Sequence, residues 1–139
     1  MKTSRSLVAP LLAFASLLPY AAQSAPSGNT GTYTNVLWVV STTVPQLARC
    51  TELLVDATGD LNNSSRLSVY GNLNCFADNT AYPANGSATI FNNGKFGMNL
   101  FLSSGAALQC FNWTGLSGIC TVVNTGTNAV LGTATLTLR

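Results

Sequence analysis

The chain has 139 residues, and 7% of them are charged, against about 25% in typical soluble domains. Its formal charge of +2 is carried by Lys2 and Arg5 at the start; beyond them Arg49, Arg66, Lys95 and Arg139 balance Glu52, Asp56, Asp60 and Asp78. A neutral body excludes a basic face for nucleic acid, and the absence of any histidine removes the commonest acid-base group.

Lys2 and Arg5, the apolar run "LVAPLLAFASLLPYAA" and the small residues "QSAPSG" follow the layout of a secretory signal peptide. The expected cleavage follows Ala25, which makes residues 1–25 the signal and 26–139 one domain with a single core. Pro10 and Pro19 interrupt the run, which is shorter than the roughly 20 apolar residues of a membrane span. The expected location is secreted, periplasmic or cell-surface, with no membrane partner once the signal is removed.

From residue 31 onward alternation dominates. "GTYTNVLWVVSTT" (31–43), "CTELLVDAT" (50–58) and "RLSVYGNLNCF" (66–76) are rich in β-branched and aromatic residues, as strands are. In 66–76, Leu67, Val69, Leu73 and Cys75 share one face, and Tyr70 lies on the other with Ser68, Asn72 and Asn74. "GSATIFN" (86–92) and "KFGMNLFLS" (95–103) flank Asn93-Gly94, a strong hairpin signal because both residues tolerate positive φ. "ALQCFNWT" (107–114), "GICTVVN" (118–124) and "AVLGTATLTLR" (129–139) complete the set. Turn-like segments separate them, among them "DNTAYPANG" (78–86) and "NTGTN" (124–128). The segment 44–54, opened by Pro45, is the one place with helical colour. With no crossover helix in sight, the chain reads as all-β: an antiparallel meander of about eight strands, closed as a barrel or folded as a sandwich.

The four cysteines are expected as disulfides in an oxidising compartment. In "CFNWTGLSGIC" (110–120) a hairpin centred on Gly115 sets Cys110 opposite Cys120, within disulfide reach. Cys50 and Cys75 centre on Asn62-Asn63 and close a wider hairpin in the same way. The expected pairing is therefore Cys50–Cys75 and Cys110–Cys120.

No catalytic constellation, metal site or cofactor is expected. A thiolate nucleophile lacks a basic partner. On a strand, Glu52 and Asp56 share a face but stand roughly 13 Å apart, beyond the separation glycosidase carboxylates use. The long cysteine spacings do not suit zinc. "DATGDLNN" (56–63) lacks the closing Glu of an EF-hand loop. Asn-x-Ser/Thr triplets begin at Asn62, Asn63, Asn85 and Asn112; the first three fall in expected loops and the fourth in a strand.

The residues 31–38, "GTYTNVLW", loosely resemble the first strand of avidin-type barrels, Gly-Thr-aromatic-x-Asn-x-Leu. In that family the Asn contacts the ligand, which implies a ligand role for Asn35. Trp38-Val39 replace the family's Gly-Ser, and the four cysteines are extra.

Val36 to Val40 are apolar on both faces, so that strand needs cover on both sides. Asn35, Val36, Trp38 and Val40, with Trp113, are accordingly the candidate ligand or assembly residues. The expected function is non-catalytic: a self-associating cell-surface or extracellular structural subunit of a fibre or matrix, its partners copies of itself. The alternatives are a lipocalin- or avidin-like eight-stranded barrel around a small apolar ligand, and a small outer-membrane barrel.

Overall fold

The computed structural model describes residues 30–60, 65–91, 93–114 and 116–139. The expected signal peptide and the Asn62 and Asn63 triplets lie outside them. Eight strands run β1 Thr30–Thr42, β2 Glu52–Asp60, β3 Arg66–Cys75, β4 Thr80–Ile90, β5 Phe96–Leu102, β6 Ala106–Trp113, β7 Ser117–Asn124 and β8 Val130–Leu138. Each pairs antiparallel with the next, and β8 closes on β1 from Trp38↔Leu138 to Thr42↔Ala134. The meander is a closed barrel, not a sandwich.

Period-two alternation decides what points inward. Leu67, Val69, Leu73 and Cys75 of β3 are buried, as are Met98, Leu100 and Leu102 of β5 and Ala134 and Leu136 of β8. Their outward neighbours include Ser68, Asn72, Thr133, Thr135 and Thr137, all exposed.

Two asparagines break the alternation. Asn35 and Asn112 have φ of 56°, a region Asn enters more readily than other side-chain-bearing residues. The β1–β2 register shifts between Tyr33 and Val36, and the β5–β6 register between Phe96 and Met98. Each shift adds a residue on the asparagine's strand, which is a β-bulge. The first lets Tyr33 and Val36 both face inward. The second turns Trp113 in, although Phe111, two residues before it, faces out.

The helical expectation for 44–54 is met by one 3-10 turn, Pro45–Leu47. Val44 and Leu47 are buried in the core cluster and fold over the upper end of the barrel. The stretch 80–86, expected as a turn, is the first half of β4. Pro83 fits there because its carbonyl accepts the Ser103 N–H at 2.9 Å. The proline nitrogen therefore also faces β5, just past the last ladder pair, Ala84↔Leu102, where no donor is needed.

The disulfides are Cys50–Cys75 and Cys110–Cys120, with Cα atoms 3.8 and 4.3 Å apart. The first ties the upper ends of β2 and β3. The second ties β6 to β7 near the lower end, continuing the register Gln109↔Thr121.

Candidate functional site

Eight strands enclose an interior that side chains either fill or line around one small ligand. Here Trp38 and Trp113 stack with ring centroids 5.1 Å apart, and Phe96 lies 4.9 Å from Trp113. Gly118 makes room for this cluster: a Cβ there would overlap the Trp113 indole. Tyr33 is wholly buried alongside, and desolvation pushes its phenol far above the ordinary tyrosine range. Val36, Val40, Leu53, Val55, Leu100 and Leu108 continue the packing.

Of the candidate residues, Val36, Trp38, Val40 and Trp113 are therefore buried core side chains. Asn35 is exposed on the outer wall, where its N–H donates to Asp56 Oδ1 at 2.7 Å. The structure brings Trp38 and Trp113 together and leaves Asn35 apart from them, on the opposite side of the wall. Asn85 and Asn112, beginning two of the Asn-x-Ser/Thr triplets, are both exposed; Asn85 lies in β4, not in a loop.

With the interior packed, what the barrel offers to other molecules is its outer wall. A lipid-facing barrel needs apolar residues outside and polar ones inside, whereas the buried residues here are apolar. Among the described residues no helix is long and apolar enough to cross a membrane. No three His, Cys, Asp or Glu side chains among them gather where they could hold a metal ion.

Charge is distributed unevenly over that wall. Arg49 pairs with Asp78 at 2.6 Å, and Arg139 with Glu52 at 2.7 Å. Asp56 is held by Asn35. From Asn79 to Leu138, in contrast, Lys95 is the lone charged residue.

On the uncharged side an apolar cluster stands outward near the lower end. Phe91 and Phe111 lean over Gly97, where a Cβ would meet their rings at 3.5 and 3.6 Å. Gly97 is buried as a result, its missing side chain replaced by rings from neighbouring segments. Phe111 follows Cys110 and Ile119 precedes Cys120, so the disulfide holds these two outward side chains at one level on adjacent strands. Phe111 is 68% exposed and Ile119 70%, and Leu116, in the connection between their strands, is exposed too.

Sequence reasoning did not single this cluster out. The signal was present: once Cys110 and Cys120 face inward, Phe111 and Ile119 must face outward. Comparison with protein-family models, with curated proteins and with solved structures finds no match to the chain.

Proposed function

We propose that the protein is an exported, non-catalytic β-barrel that associates with copies of itself as a cell-surface or extracellular structural subunit, a fibre or matrix component. The observation that carries this reading is the outward cluster of Phe91, Phe111, Leu116 and Ile119 on the uncharged part of the wall. Apolar side chains of this size gathered on one surface favour a partner. A face with Lys95 as its single charge meets little like-charge repulsion from its own copy, and a twofold contact needs one such patch. The filled interior favours contact through the outer wall over a ligand held inside. Two disulfides favour a secreted, periplasmic or cell-surface location.

Size-exclusion chromatography of the mature chain at rising concentration tests the proposal. The apparent mass is expected to increase with concentration. The double variant Phe111→Lys/Ile119→Lys is expected to stay monomeric with an unchanged circular dichroism spectrum. A mature chain that remains monomeric at every concentration overturns the reading.

A further inference from the structure

A second surface, higher on the wall and away from Phe111, has a different chemistry. An open groove crosses β3, β4 and β5. Its first row runs Tyr70, Asn85, Phe101, fixed by the pairs Tyr70↔Asn85 and Asn85↔Phe101. Tyr70 is 51% exposed and Phe101 47%. One strand lies between them, which sets the rings roughly 9–10 Å apart across the sheet, with the Asn85 amide in the middle.

The next row is Ser68, Ser87, Asn99. Arg66 closes the groove and donates from its guanidinium to Ser87 Oγ at 3.0 Å. The amide oxygen of Asn99 is buried with no hydrogen-bond partner, although buried polar atoms are nearly always paired. The nearest carboxylate, Asp56 opposite Tyr70, is already engaged by the Asn35 N–H.

Two exposed rings flanking a strip of amides and hydroxyls match a ligand whose faces alternate between C–H and O–H. The C–H face of a pyranose lies flat on an aromatic ring, and its hydroxyls both donate and accept, as amide and serine groups require. A flat protein patch would bury the rings but has no call for a row of uncharged donors and acceptors between them. An anionic ligand would need more than the single Arg66. We infer that this groove binds a neutral oligosaccharide of two or three residues, with Tyr70 and Phe101 as stacking platforms and Asn85, Ser87 and Asn99 as hydrogen-bonding groups. The site is separate from the apolar cluster and does not depend on self-association.

The test is a titration of the ¹⁵N-labelled mature chain with cellotriose, maltotriose and N-acetylchitotriose, followed by NMR. At least one sugar is expected to shift the resonances of Tyr70, Asn85 and Asn99. Tyr70→Ala and Phe101→Ala are each expected to weaken that binding about tenfold, as truncation of an aromatic anchor does, while Phe111→Lys/Ile119→Lys leaves it unchanged. The proposal is overturned if none of the three sugars moves these resonances, or if Tyr70→Ala binds as tightly as the parent. It is also overturned if Tyr70→Ala abolishes self-association without any sugar bound, which assigns the groove to a second copy.

Discussion

Between Arg49 and Asp78 the sequence has six charged residues, Arg49, Glu52, Asp56, Asp60, Arg66 and Asp78. Glu52, Asp56 and Asp78 each accept from a donor in the same chain. Between Asn79 and Leu138 Lys95 stands alone, and Phe91, Phe101, Phe111 and Ile119 are left to solvent. The first sector holds most of the charge and engages three of its carboxylates within the chain, while Tyr70 and Phe76 stand exposed among them. The second has a polar wall of Asn, Ser and Thr interrupted by apolar side chains that nothing among the described residues covers. Two sectors of one continuous sheet share one core, so the difference lies wholly in what their outward positions offer to other molecules.

Inside, Trp38 of β1, the strand that pairs with both β2 and β8, meets Trp113 of β6, and the largest expected effect comes from cutting that link. Trp113→Ala removes the ring between Trp38 and Phe96 and is expected to cost about 3–5 kcal/mol in urea denaturation. A loss under about 1 kcal/mol would mean that each sector holds its half of the core independently. Next come the staples, one in each sector. Replacing Cys50 and Cys75 by Ala opens a loop of 25 residues and replacing Cys110 and Cys120 a loop of 10. The chain-entropy relation gives about 3.5 and about 2.7 kcal/mol respectively. The reverse order, measured in the same denaturation series, would show that the uncharged sector leans on its staple more than loop length accounts for. The smallest effect belongs to the charged sector: Arg49→Ala removes an exposed ion pair with Asp78 and is expected to cost under about 1 kcal/mol. The cost should shrink further at high salt, and a larger, salt-independent loss would contradict the view of that surface as solvated.

Most of the fold is legible in the residues because alternation is a local property. The inward faces of β3, β5 and β8, both disulfides and the eight-strand count follow from period-two reading and hairpin symmetry. What escaped depends on neighbours. Pro83 reads as punctuation, and only the place where β5 ends shows why a strand can pass through it. Asn35 and Asn112 look like ordinary strand polar residues, and their positive φ emerges from the registers of the flanking strands. Without the Asn112 bulge, parity sends Trp113 outward with Phe111, and a core residue passes for a surface one. The same holds for the groove. Tyr70 and Phe101 are placed on outward faces by their own strands, but nothing near them in the chain says that β4 brings them to one surface. Closure into a barrel is likewise a property of all eight strands at once.

The order of the cysteines along the chain has a further consequence. Cys50 bonds the next cysteine to follow it, Cys75, and Cys110 bonds the next after it, Cys120. In a polypeptide delivered to an oxidant N-terminus first, the earliest thiol to arrive has its native partner as the next thiol in line. Such a pair would be free to close before the third thiol appears. Oxidation in that order would proceed by succession and would need less of the reshuffling that takes seconds to hours in other topologies.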